Sequence, residues 1–480
     1  MSVPIEDYAV LSDCRTAALV SREGSIDWFC APRFDSASVF AAILGENEQG
    51  AWHLRPEDAD AVASRRYDGD TFVLVTRWES ATGVAEVHDF LPIDGGRVDI
   101  VRRIVGISGT VEFTTHLRIR FDYARAIPWV RQVGDAAAPA LHAIAGPDAL
   151  IVRGVALTPH GRAHRGRVSV AAGETADLVA TWNPSYLPTP APLDVDAALE
   201  RTRSWWTGFA ASIDHDGPHR DEVVRSLLVL RALSHQDTGG IVAAVTTSLP
   251  EQIGGERNWD YRYVWLRDAA LTLEALVAHG FLEVAEQWRS WLIRAIAGDP
   301  RQMQIMYGVA GERDLPERQL TSLPGYEGSA PVRVGNGAVN QYQADVVGEV
   351  MVSLEAARVA GVPDDPLAWA LQRALLDGVE ARIDEPDNGI WEVRGDPQRF
   401  TQSRAMMWAA FDRGVRAVRT YGQQGPVEKW EALRDRLRDE IDTHGVDAAS
   451  GAFVQHYGST EVDASLLLLP QVGFCEPDDP

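Results

Sequence analysis

A change of hydrophobic period near residue 190 constrains the fold of this chain more than any other feature. Before it, residues 110–121 (TVEFTTHLRIRF) alternate. Val111, Phe113, Thr115, Leu117, Ile119 and Phe121 fall on one side, and Glu112, Thr114, His116, Arg118 and Arg120 on the other. A two-residue period is that of a half-buried strand. Further strand-like runs cover 71–78, 84–91, 98–107, 149–155 and 166–182, split by Gly, Asp and Pro turns. Short strands with no helical pattern between them predict an antiparallel sandwich. After the break the period is helical. In 221–236, Val223, Val224, Leu227, Leu228 and Leu230 form a stripe, and Leu266, Ala269, Ala270, Leu273, Leu276 and Val277 form another. More helices are readable near 282–297, 340–360, 366–383, 403–421, 426–442 and 463–472, about eight in all after residue 220.

The break itself is NPSYLPTPAPLD (183–194), whose four prolines favour an extended, semi-rigid connection. The expected division is therefore a β-sandwich domain over 1–182, a Pro-rich and helical linker over 183–219 and a helical domain over 220–480. Successive long amphipathic helices pack as antiparallel pairs in a bundle, solenoid or toroid. No short fixed repeat favours the solenoid. The connection 299–338 stands apart: it is long, and its Tyr307, Arg313, Tyr326 and Arg333 are not a disorder composition.

Charge narrows the partners. A net charge of −24 argues against nucleic acid or an anionic membrane, both of which need a basic face. It suits a neutral ligand such as a sugar. The three cysteines (Cys14, Cys30, Cys475) are far apart and show no zinc spacing or disulfide framework, and a cytoplasmic setting is expected. The N-terminus lacks a signal-peptide pattern, and no apolar run approaches a membrane span. Neither a P-loop nor a G-x-S-x-G elbow is present. His88, His116 and His456 lack metal-ligand spacing and are read as structural. Fifteen tryptophans fit a large core, sugar-stacking platforms, or both.

Three segments carry candidate chemistry. In DNGIWEVRGD (387–396), Glu392 lies between Trp391 and Val393. A carboxyl with apolar neighbours is disfavoured as an anion and is a candidate general acid. In GGERNWDYRYVWLRDAALTLEA (254–275), Trp259, Asp260, Tyr261, Arg262, Trp265, Arg267 and Asp268 precede or open a helix. Asp268 in a first turn is favoured by the helix dipole. An ionised Asp beside Arg can grip hydroxyls while a Trp stacks on a ring, although a capping and salt-bridge cluster would look the same. In LPGYEGSAPVRVGNGAVNQYQADVVGE (323–349), Asn340, Gln341, Gln343 and Asp345 lead into a helix. Neutral amides with one Arg suit a polyhydroxyl ligand and not a metal; capping by Asn336 or Asn340 is the structural alternative.

NWDYRYVWLRDA, GYEGSAPVRVGNGAVNQYQADVVGE and DNGIWEVRG, in this order, resemble the bacterial family-15 glycoside hydrolases, which are glucoamylase-like enzymes and their trehalase relatives. The opening IEDYAVLSDCRTAALVSREGSIDWFCAPRFDSASVF (5–40) is similar to that family's N-terminus. The resemblance implies an antiparallel β-super-sandwich, a helical linker and an α/α toroid of six helical hairpins. It also implies inversion at the anomeric carbon without an organic cofactor. Carried over by residue, Glu392 matches the general acid. Trp265, Arg267 and Asp268 match the motif gripping the terminal glucose, and Trp391 lines the acid side. Trp259, Asp260, Arg333, Asn336 and Gln341 are further candidates for the substrate pocket, and Asp345 lies in a family motif.

Inversion also needs a second carboxylate, about 6.5–9.5 Å from the first. The family's late general-base motif has no match in this chain, and about eight helices fall short of the twelve of a toroid. The expectation is a chain truncated relative to its relatives, with Glu349, Glu317 and Asp345 as conceivable substitute bases. The activity expected first is exo-hydrolysis of α-glucans to glucose. The alternatives are an α,α-trehalase with the same machinery, a phosphorylase whose anion site Arg257, Arg262 and Arg333 would supply, and a sugar-binding remnant without a base.

Overall fold

A computed structural model of the chain describes residues 2–93, 95–135, 137–299 and 302–479. The chain divides into two compact units. The first comprises Met1–Asp237, Ala244–Arg262 and Glu317–Gly335, and the second Thr238–Ala243, Tyr263–Pro316 and Asn336–Pro480. Each crosses the contiguous division at 182 and 220, because the helices after the Pro-rich stretch and two later segments group with the strands.

The first unit is the antiparallel super-sandwich. Its organising element is one strand, Val98–Arg118, where the sequence suggested two. The part up to Gly109 pairs with Gly83–Phe90 and, as far as Val105, with Thr175–Pro184; the part after Gly109 pairs with Ala51–Pro56 and Ala163–Ala171. Glycine is required at the crossing. A Cβ on Gly106 would stand 2.0 Å from the Ala171 carbonyl oxygen, and Gly109 has φ 62°. The strand thus passes from one sheet to the other and joins them. The inner faces supply one core, including Leu11, Trp52, Phe113, Leu74, Ile104 and Leu150. The 111–121 alternation is reproduced except at Arg120, which is also buried. Strands at Tyr8–Ser12, Ala17–Ser21 and Ser25–Cys30 lie outside the expected set. The last two are buried on both faces and so show no alternation.

Two helices follow, α1 (Val195–Ala211) and α2 (Arg220–Ala232). The Asp194 carboxylate accepts from the Ala197 N–H and caps α1 at the end of the Pro-rich stretch.

The second unit is helical: α3 (Leu266–Ala278), α4 (Leu282–Ala295), α5 (Val346–Val359), α6 (Pro366–Ala381), α7 (Thr401–Arg419), α8 (Val427–His444) and the short α9 (Leu468–Gln471). Consecutive helices form three hairpins, α3/α4, α5/α6 and α7/α8, among the described residues. Alternate helices also pack side by side, α3 on α5 and α5 on α7, with α4 on α6. This two-layer alternation is that of an α/α toroid. The sequence agrees with it. The inner helices α5 and α7 are buried nearly all round, whereas α6 and α8 bury only a stripe. Eight α-helices begin at or after residue 220 among the described residues.

Two expected helices are shorter than the pattern suggests. The one read from residue 340 begins at Val346, after a 3-10 turn at Gly337–Asn340 and an extended stretch. The one at 463–472 is a 3-10 turn followed by α9. The long connection carries short strand pairs, Val264–Trp265 with Met306–Tyr307 and Arg318–Leu320 with Val332–Val334. Among the described residues no helix is long and apolar enough to cross a membrane. Most tryptophans are core; Trp129 and Trp391 are the large exposed ones.

Candidate active site

The second unit gathers most of the candidates around one guanidinium. Trp265 and Arg267 bracket the start of α3, so Arg267 and Asp268 occupy its first turn as expected. Arg267 is mostly buried and its fork faces four polar groups. Nε donates to Asp268 Oδ1 at 3.3 Å and Nη1 donates to Gln343 Oε1 at 3.0 Å. Nη1 lies 3.8 Å from Asp345 Oδ2, and Nη2 lies 3.6 Å from Glu392 Oε1. Burial lowers the Arg267 pKa, but Asp268, Asp345, Glu392 and Glu349 more than restore it, and it is raised overall.

Glu392 closes the cluster. The Trp265 indole Nε1–H donates to its Oε1 at 2.6 Å, a short hydrogen bond. Its side chain keeps 19% exposure, enough to meet a ligand. The apolar flank read from the sequence does not enclose it: Trp391 and Val393 are both exposed, and the spatial neighbours are an indole donor and a cation. The turn accounts for this. Glu392 has φ 56°, a left-handed backbone that throws its side chain away from the chain neighbours. Gln341 supports the turn, donating from Nε2 to the Glu392 carbonyl at 3.2 Å, and Gln343 donates to Gln341 at 3.1 Å. Trp391 donates its indole N–H to both oxygens of Asp463, each at 3.0 Å.

Asp345 and Glu349 lie behind Arg267, both buried. Burial first, then Asp387 and Glu392, push Asp345 up to about 6 against the pull of Arg267. Burial first, then Asp345 and Glu274, push Glu349 up to about 8. A general base must reach a water at the substrate, so neither buried carboxyl has a base's setting. Glu317 belongs to the first unit, 3.5 Å from Arg333.

Other candidates are corrected. Asp260 and Arg262 form a closed pair inside the first unit. Arg262 donates to both Asp260 oxygens at 2.9 and 2.8 Å, and Asp260 also accepts from the Gly335 N–H, so Asp260 is not free to grip a sugar. Arg262 spends its remaining donors on the Ser36 carbonyl and the Tyr123 hydroxyl. It therefore makes no phosphate site. Arg333 stacks over Trp259 at 4.5 Å and donates to the Glu256 carbonyl, again within the first unit. Asn336 is buried, and its side chain caps the Gly337–Asn340 turn by accepting from the Ala338 N–H. Sequence reading missed Asp387, Ser403 and Asp463, whose only local signals are a turn and helix starts. Among the described residues no group of three or more His, Cys, Asp or Glu could hold a metal ion.

The Arg267 guanidinium on α3 thus stands beside a partly exposed carboxyl brought in by a turn and an indole from the strand before the helix. Residues 217–480 match the model described as Glycosyl hydrolases family 15, and residues 1–177 match that described as Trehalase-like, N-terminal. The chain belongs to family 15 of the glycoside hydrolases, and its class is α-glucoside hydrolase. It is 36% identical to a protein named Trehalase from Mycobacterium tuberculosis, over 99% of this chain and 74% of that one. It is 37% identical to a Trehalase from Mycolicibacterium smegmatis, over 99% and 75%. A bacterial glucoamylase crystallised with acarbose shares the fold, with a TM-score of 0.68 at 11% identity, over 97% of this chain and 71% of that one.

Proposed function

We propose that the chain is an α,α-trehalase, with Glu392 as general acid. The observation that carries the site is the Trp265–Glu392–Arg267 contact, which holds an accessible carboxyl beside a cation within a family-15 fold. The substrate rests on the relatives, which match over nearly the whole chain and are named for trehalose cleavage. This reverses the order expected from the motifs alone, which put α-glucans first. The likeness to glucoamylase is one of fold.

In this reading the non-reducing glucose sits against Arg267 and Asp268. Glu392 delivers its proton to the glycosidic oxygen as the bond to the anomeric carbon breaks. A water attacks the anomeric carbon from the opposite face, inverts the centre and gives up its proton to a second carboxylate, a role to which no residue described above is assigned. Arg267 holds the carboxyl in place before transfer and stabilises its anion afterwards. Trp391, pinned through its indole N–H, presents its ring to the leaving sugar.

The test is a comparison of kcat/KM on trehalose, maltose and maltotetraose. A preference for trehalose supports the proposal. Turnover of the glucans with trehalose untouched restores the glucan reading, and binding without turnover of any substrate favours the remnant.

A further inference from the structure

The carboxyl read above as the acid sits on backbone that L-residues seldom adopt, and such strain persists only where the surroundings over-determine it. Part of that constraint is local. The Glu392 N–H donates to the Gly389 carbonyl and the Val393 N–H to the Asn388 carbonyl, both at 3.1 Å. The Asn388 amide donates to the Val393 carbonyl at 3.0 Å. These bonds close the turn on itself but do not aim it.

The aim comes from Asp387. One oxygen, Oδ2, accepts three hydrogen bonds from three segments: the Ala344 N–H at 3.0 Å, the Gly389 N–H at 3.1 Å and the Ser403 hydroxyl at 2.8 Å. The residue is 2% exposed, so losing the acceptor would leave buried donors unpaired. Its own backbone pairs both ways with Gln398 at 2.8 Å. Ala344 follows Gln343, whose amide holds Arg267, and the Asn388 N–H donates to the Tyr342 carbonyl at 2.9 Å. A single carboxylate therefore ties together the stretch that orients Arg267, the turn that carries Glu392 and the first turn of α7.

We propose that Asp387 is a positioning residue for Glu392, fixing the acid turn so that its carboxyl meets the Trp265 indole and the Arg267 fork. The inference rests on the assignment of Glu392 as the acid. Substitution should impair proton delivery more than sugar binding, so the loss should depend on the leaving group.

The test uses the full chain labelled with 15N-tryptophan. The Trp265 Nε1–H resonance is identified by its loss in Trp265→Phe, and Glu392→Ala marks its position when the side-chain acceptor is gone. Asp387→Ala is expected to move that resonance and to lower kcat on trehalose on the order of 10²-fold, the scale of misplacing a catalytic group by about 1 Å. KM should stay nearly unchanged. Turnover of α-glucosyl fluoride, whose leaving group departs without acid assistance, should fall by less than about tenfold. Asp387→Asn retains an acceptor oxygen and should lie between. Ser403→Ala removes one donor and should move the resonance the same way even where Asp387→Ala does not fold. A Trp265 resonance unmoved in a folded Asp387→Ala or in Ser403→Ala overturns the proposal, as does equal loss on both substrates. Failure of the acid assignment shows separately, as trehalose turnover that survives Glu392→Gln, while the resonance still reports whether Asp387 holds the turn.

Discussion

Two arginines from one sequence motif show what separates a closed structural cation from one still open to a ligand. Arg262, in the first unit, has no exposed surface, and its fork is met at 2.7–2.9 Å by Asp260, the Ser36 carbonyl and the Tyr123 hydroxyl. Burial lowers its pKa, but Asp260 restores it to well above the ordinary value. Arg267, in the second unit, faces more carboxylates than one cation can neutralise, and its contacts to acidic oxygens are longer, at 3.3–3.8 Å. A closed, fully hydrogen-bonded pair holds backbone together. A cation with slack contacts and an accessible carboxyl beside it can still exchange partners with a ligand.

The largest expected effect attacks the closed pair. Asp260→Ala leaves Arg262 buried without its counter-charge and should cost about 3–5 kcal/mol in denaturant unfolding. A loss below about 1 kcal/mol would mean that the pair is not structural in this sense. Next, Arg267→Lys keeps the charge but loses the planar fork that spans Gln343, Asp268 and Glu392. A kcat/KM lower on the order of 10²-fold, with little change in unfolding midpoint, is expected. An unaltered rate would remove Arg267 from the site.

Third, the raised pKa of Glu349 makes the stability of the second unit pH-dependent. Its native value, about 8, exceeds the unfolded one, so the native state binds more protons between the two. The contribution is complete below the unfolded pKa and disappears as pH rises to about 8. Glu349→Gln should flatten that decline and leave the variant more stable than wild type at pH 8.5 by about 1–3 kcal/mol in urea titrations. A parallel decline in both proteins would reject the assignment. The smallest effect is Asn336→Ala, which removes a cap and should cost about 1 kcal/mol with KM unchanged. A raised KM would return Asn336 to the substrate pocket.

The sequence disclosed the parts of the molecule with a single buried face. The 111–121 alternation and the stripes of α3, α4, α6 and α8 correspond to elements with one side to the core. Strands Ala17–Ser21 and Ser25–Cys30, buried on both faces, left no such trace. The site was partly legible. Arg267, Asp268 and Trp265 sit where the helix start predicted, but the periodic pattern ran a helix through 340–345. There the chain is a 3-10 turn and an extended stretch, which frees Gln341 and Gln343 to reach the Glu392 turn and Arg267. Local pattern gave way where irregular backbone lets side chains reach distant partners. Asp387 and Asp463 stayed hidden because each acts on a partner far away in sequence.

The most direct test of the acid assignment is glucose release from trehalose by the wild type and by Glu392→Gln. Turnover that falls by about 10²–10⁴-fold in the variant, with trehalose binding and the unfolding midpoint retained, is the predicted result. Equal turnover in the two proteins would contradict it and place the proton donor elsewhere.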